Sequence, residues 1–263
     1  MLQLDSVRKT FFAGTPNERV ALDGISLQLQ PGEFTTVIGS NGAGKSTMLN
    51  IVAGKLSPDT GNVVVDGRDV TRQPDHRRAA HVGRVFQDPL AGTAPDMTIE
   101  ENLAIAFARG KPRGLRLGVT RGKRDFFRQE LASLELGLEN RLKMKVGLLS
   151  GGQRQALSLL MATFSEPKIL LLDEHTAALD PKRAELITRL TAEAVERHNL
   201  TTLMVTHNMD QALRVGTRLV MMHEGRVVVD IAGERKQRAT VQDLLRAFEQ
   251  VKGAELDDRT LLQ

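Results

Sequence analysis

The sequence predicts an α/β fold on a mostly parallel central sheet, with antiparallel strands at the N-terminal end and a helical insertion in the middle. Three observations lead there. Strand-like and helix-like segments alternate from residue 151 to 215, a pattern that calls for a parallel sheet. A glycine-rich stretch at residues 39–47 follows an apolar strand and opens a helix. Residues 98–147 read as mainly helical, interrupted near 110–122, and lie between these two regions.

Taken in order, Leu2 to Val7, Ala21 to Leu29 and Phe34 to Ile38 carry alternating or β-branched apolar positions, with Pro31-Gly32 as the turn before the third. A helix follows from about Lys45 to Ala53, stopped by Gly54. Residues 61–70 fit a hairpin through Asp66-Gly67. The C-terminal half then reads helix 151–164, strand 168–173, helix 181–197, strand 201–206 and helix 208–215. Strands 218–222 and 226–230 flank His223-Glu224-Gly225 as a second hairpin. Thr240 and Asp243 form a capping box for a last helix, whose stripe of Val241, Leu244, Leu245, Phe248 and Val251 should pack on the body. One domain over residues 1–251 is expected, with a helical subdomain inserted at about 88–165 and a short tail at 252–263.

Composition narrows the chemistry. The chain has no cysteine, which excludes disulfides, thiolate metal sites and cysteine nucleophiles. A net charge of +4 is too small to argue for a nucleic-acid partner. The longest apolar run, Leu103 to Ala108, is far short of the ~20 residues a spanning helix needs. The N-terminus lacks a signal-peptide pattern, so a cytosolic chain reaching any membrane through a partner is expected.

Gly39-Ser40-Asn41-Gly42-Ala43-Gly44-Lys45-Ser46-Thr47 is a full P-loop. Its glycines let backbone N–H groups turn inward around phosphate oxygens, at a helix N-terminus that favours negative charge. Lys45 suits the β and γ phosphates, and the Ser46 hydroxyl suits Mg²⁺. The run Ile169-Leu170-Leu171-Leu172 reads as a strand buried on both faces, with Asp173 and Glu174 at its C-terminal end, where α/β sheets place ligands. Strand alternation assigns the two carboxylates to different atoms: Asp173 toward Mg²⁺, Glu174 toward an attacking water. In Leu149-Ser150-Gly151-Gly152-Gln153-Arg154-Gln155, Ser150 is placed to cap the following helix. That cap leaves the Gly151 and Gly152 N–H groups to a second anion.

With the P-loop, Gln87 and His207, this third motif resembles the signature of ATP-binding cassette (ABC) ATPases, over nearly the whole chain and in the right order. The resemblance implies a P-loop NTPase fold that binds ATP and Mg²⁺. It also implies a homodimer, or a cassette heterodimer, in which Ser150, Gly151, Gly152 and Gln153 close over the partner's ATP. By the same resemblance Phe11 stacks on adenine (Phe12 is an adjacent rival), and Gln87 reaches Mg²⁺ and the attacking water. Asp180 crosses the dimer interface, although before Pro181 it is equally a helix N-cap. His207 contacts the γ-phosphate and orients Glu174. His175 departs from the family, which usually has proline there; it reads as a surface residue, or else as a titratable neighbour of Glu174.

Only residues 48–148 separate P-loop and signature, too few for the coiled coils of chromosome-maintenance members, and one cassette does not make a ribosome-acting member. A transporter subunit is implied, peripheral on the cytoplasmic face of the membrane, working with integral permease subunits and a solute-binding protein. A soluble scaffold ATPase is the alternative. Residues 86–95, 171–176 and 203–209 resemble one branch of importer ATPases associated with tryptophan- or tyrosine-like amino acids. Between Arg109 and Arg128 eight Lys and Arg face a single acid, Asp125; this is a docking surface, an anionic-headgroup contact or a solvated loop.

Overall fold

The computed structural model describes residues 1–111 and 118–261, with side chains through residue 251. In chain order the elements are β1 (Leu2–Phe11), β2 (Arg19–Leu29), β3 (Phe34–Gly39), α1 (Lys45–Ala53), β4 (Thr60–Val65), β5 (Arg68–Asp69), α2 (Asp75–Arg78) and β6 (Val82–Val85). The helical stretch brings α3 (Ile99–Phe107), α4 (Arg121–Ala132) and α5 (Gly151–Thr163). Then come β7 (Ile169–Asp173), α6 (Pro181–His198), β8 (Thr201–Val205), α7 (Met209–Arg214), β9 (Arg218–His223), β10 (Arg226–Ala232), α8 (Glu234–Arg238) and α9 (Val241–Leu261).

Two sheets form. The N-terminal one runs β2-β1-β4-β5 and is antiparallel, turning through Asp66-Gly67 with φ of 51° and 75°, as a two-residue hairpin requires. The central one runs β10-β9-β3-β8-β7-β6, parallel from β9 to β6 with β10 antiparallel at the edge. The expected α/β class with a mostly parallel sheet is therefore what forms. Leu170, Leu171 and Leu172 are fully buried, and alternate ones serve the cores on the two faces of the sheet. Each contributes about 2 kcal/mol of burial.

Strand β6 has no counterpart in the sequence reading. Four residues containing Gly83 and Arg84 carry too little pattern, and pairing with β7 in register Val82↔Ile169 makes the strand. Glycine is needed at position 83: a Cβ there would lie 2.5 Å from the Ala162 carbonyl oxygen of α5. The helical insertion shares a core with one face of the central sheet, and in it Phe107, Phe126, Phe127 and Phe164 cluster with ring centroids 5.5–6.1 Å apart. Its basic segment is partly engaged: Arg124 pairs with Glu100 at 2.7 Å and Lys111 lies 3.7 Å from the Phe107 ring centre. Arg113 and Arg116 fall outside the described residues.

Helix ends follow their sequence signals. Ser150 and Gln153 cap α5 reciprocally, Asp180 caps α6 ahead of Pro181, and Thr240 and Asp243 form the expected box before α9. No helix among the described residues is long and apolar enough to cross a membrane.

Candidate functional site

The phosphate loop starts where β3 ends at the centre of the sheet, flanked by β8 and β9. Gly44 (φ 97°) begins α1 in the left-handed region, and a Cβ there would meet the Ala21 carbonyl oxygen at 2.3 Å. The neighbouring hairpin braces the loop from outside: the Gly225 N–H donates to the Ala43 carbonyl at 3.2 Å. Lys45 is buried, and its ammonium donates to the carbonyl oxygens of Gly39 (2.8 Å) and Ser40 (2.9 Å). Burial pulls its pKa below the ordinary lysine value, while Glu174 and Asp173 pull it back up. A cation held between backbone carbonyls and two carboxylates is set to receive phosphate oxygens.

A cavity of about 290 Å³ sits over this loop. Phe11, Arg19, residues 41–47, Glu174 and His207 line it. Phe11 therefore faces the loop, whereas Phe12 is 69% exposed and turned away at φ 55°. A neighbouring cavity of about 690 Å³ continues past Arg19 toward Arg226 and the Asp23 carboxylate that pairs with it.

Glu174 and His207 meet directly, with Nε2 of the histidine 2.5 Å from Oε1 of the glutamate. Strand alternation does not set this geometry. Glu174 leaves β7 in the left-handed region (φ 46°), its N–H donating to the Val205 carbonyl at 3.0 Å. A glutamate held in that sparsely populated conformation is strained backbone at the wall of the cavity. Asp173, still in the strand, is held from below: Arg84 donates to its Oδ2 at 2.8 Å and to Asn50 of α1 at 2.7 Å, stacked 4.8 Å from the Phe86 ring centre.

Ser46, Asp173 and Gln87 offer one hydroxyl, one carboxylate and one amide, of which Ser46 lines the cavity and Asp173 is paired with Arg84. Hard oxygen ligands of this kind suit Mg²⁺, which typically takes one or two carboxylates and completes its shell with phosphate and water. Gln87 is exposed on the segment after β6 and does not line the cavity.

The signature residues stand apart from it. Ser150 Oγ accepts from Gln153 N–H at 3.3 Å, and Gln153 Oε1 accepts from Ser150 N–H at 3.1 Å. Gly152 is buried beneath the Arg183 stem, and Leu179 packs near Gly151. Asp180 realises its capping role, accepting from the Arg183 N–H at 3.2 Å.

His175 is not a surface residue. It is 2% exposed, with Nε2 3.0 Å from Thr191 Oγ1. Thr191 spends its own hydroxyl proton on the Ile187 carbonyl (2.7 Å), so Nε2 carries the ring proton. Nδ1 is then a buried acceptor with no partner among the described residues. Burial pushes the pKa down to about 4. Below the unfolded value of 6.5 the unfolded chain takes up a proton that the folded chain refuses. Stability present above pH 6.5 therefore falls as the pH drops toward 4, by on the order of 3 kcal/mol from this residue. Denaturant titrations at pH 7 and 4.5 should show His175→Asn losing less stability across that window than the parent chain. Equal losses would remove His175 as the cause.

Sequence reasoning missed Arg19, Arg84 and Gln211. Each is a single polar residue in an otherwise ordinary element, without a local pattern to mark it.

A family model described as ABC transporter matches residues 22–177. The chain is 43% identical over 249 residues to a tyrosine transport ATP-binding protein of Clostridioides difficile, covering 95% of this chain and 99% of that one. It is 36% identical over 203 residues to the thiamine import ATP-binding protein ThiQ of Escherichia coli, covering 77% and 82%. Among solved structures it resembles an ATP-binding cassette seen as a dimer in a post-hydrolysis state with ADP and Pi (TM-score 0.75, 33% identity, 88% of this chain and 98% of that one). It also resembles the ADP conformation of an ABC transporter cassette (TM-score 0.78, 26% identity, 94% and 98%).

Proposed function

Since this chain belongs to the ABC transporter family and is an ATPase of that family, we propose that it powers import of a small solute, a tyrosine-like amino acid, through a separate permease. The carrying observation is the convergence of Phe11, the phosphate loop, and the Glu174–His207 pair on one cavity. Phe11 stacks on adenine through its π face. The loop N–H groups and Lys45 take the phosphates. Ser46, Gln87 and Asp173 hold Mg²⁺, which when bound neutralises phosphate charge. Glu174 accepts a proton from the attacking water, and His207 holds that carboxylate in place and reaches the γ-phosphate.

Two copies act together. Ser150, Gly151, Gly152 and Gln153 of one close on the ATP of the other, with Asp180 between them; that two copies pair at all is supported by the dimeric cassette that resembles this chain. Residues 1–251 act as one ATPase domain, and the helical insertion at about 88–165, with its basic segment, meets the permease on the cytoplasmic face of the membrane. A solute-binding protein delivers the cargo. The importer reading draws on the tyrosine transport and thiamine import proteins to which the chain is similar.

Tagged Glu174→Gln protein, mixed with ATP and detergent-solubilised native membranes, should retain a polytopic permease in a pull-down read by mass spectrometry. A solute-binding protein in the same eluate fixes import. Recovery of soluble partners alone, with ATP binding intact, would replace the transporter reading by that of a scaffold ATPase.

A further inference from the structure

Beside the Glu174–His207 contact, lining a cavity with both residues, lies a buried amide. Gln211, on the first turn of the short helix α7, is 5% exposed. Its Oε1 accepts from Thr206 Oγ1 at 2.8 Å, and its Nε2 donates to Thr188 Oγ1 at 2.9 Å and to Thr176 Oγ1 at 3.2 Å. Both amide protons and the oxygen are therefore spent on three different segments. Thr206 immediately precedes His207. Thr176 is two residues past Glu174, at the start of the loop that runs through Leu179 to the cap of α6. Thr188 is on α6 itself, bonded back to the Ala184 carbonyl at 2.8 Å.

Polar groups this deep are costly unless satisfied, and a fully satisfied network fixes one arrangement of the segments it joins. The far end of the same loop, at Leu179, packs by Gly151 at the start of α5. We propose that Gln211 is a positioning residue for hydrolysis: it locks the 174–180 loop to the end of β8, so that the Glu174–His207 pair and the loop facing the signature helix keep one register. This inference rests on the reading of Glu174 and His207 as the hydrolytic pair. Removing the amide leaves phosphate loop and adenine contacts intact but lets the pair drift, and a misplacement of about 1 Å costs on the order of 100-fold in rate.

The test uses the full chain with Gln211→Met, which keeps length and removes the amide, and Thr206→Val, which removes its acceptor contact from the other end. Steady-state ATPase assays should give a kcat at least about tenfold lower for each, with KM for ATP within about twofold. The double variant should lose little more than Gln211→Met alone, since that variant has already broken the Thr206–Gln211 bond. Unchanged kcat in the variants overturns the proposal. So does multiplicative loss in the double variant, or a KM that rises in step with a falling melting temperature, which marks a purely structural residue. If Gln211→Met does not fold, Thr206→Val alone decides by the same kcat and KM criterion. Glu174→Gln is assayed alongside: turnover there removes the hydrolytic pair itself, whereas loss of turnover there with normal Gln211→Met turnover removes only this inference.

Discussion

Glu174→Gln is expected to bind ATP as the parent chain does, to dimerise stably around it, and to lose turnover by about three orders of magnitude. The size follows from what a positioned general base supplies, typically a factor of 10² to 10⁴. An amide keeps the shape and can still meet His207, but it cannot take a proton from water. The backbone should tolerate the change: the left-handed conformation at φ 46° and the Val205 hydrogen bond belong to the main chain. Single-turnover phosphate release, with nucleotide binding and gel filtration in ATP, separates the effects. Turnover within tenfold of the parent would exclude Glu174 as the base.

Lys45→Ala is expected to weaken ATP binding by about 100-fold, equivalent to roughly 3 kcal/mol, the upper range for a hydrogen bond to a charged group. In the structure the ammonium bridges the Gly39 and Ser40 carbonyls at the mouth of the loop. Replacing it with alanine removes the one cation that lines the cavity from within the loop and leaves those carbonyls without their ammonium donor. Titration with a fluorescent nucleotide reads the effect directly. Unchanged affinity would sink the assignment of residues 39–47 as the phosphate cradle.

What could be read in the sequence was what short stretches of chain determine by themselves. The phosphate loop needs consecutive glycines and a following helix, and both are local. Ser150 with Gln153, Asp180 with Pro181, and Thr240 with Asp243 are caps written within four residues, and all three form. What could not be read depends on segments meeting across the fold. Arg84 reaches Asp173 across 89 positions, and Gln211 reaches Thr176 across 35. Strand β6 exists because β7 pairs with it. The burial of His175 is set by α6 packing over it, which a lone histidine beside a carboxylate does not announce. Between Phe11 and Phe12 the choice fell to backbone geometry, since the positive φ of Phe12 ends the strand.

The tight seam at Gly83 has a mechanical consequence. Helix α5 touches β6 near its C-terminal end, at Ala162, and carries Ser150 at the other. With a rise of 1.5 Å per residue, the signature stands ~18 Å from that contact. Any tilt of α5 about that seam would be amplified at its far end. A tilt of about 10° there swings Ser150 through ~3 Å, comparable to the length of a hydrogen bond to phosphate.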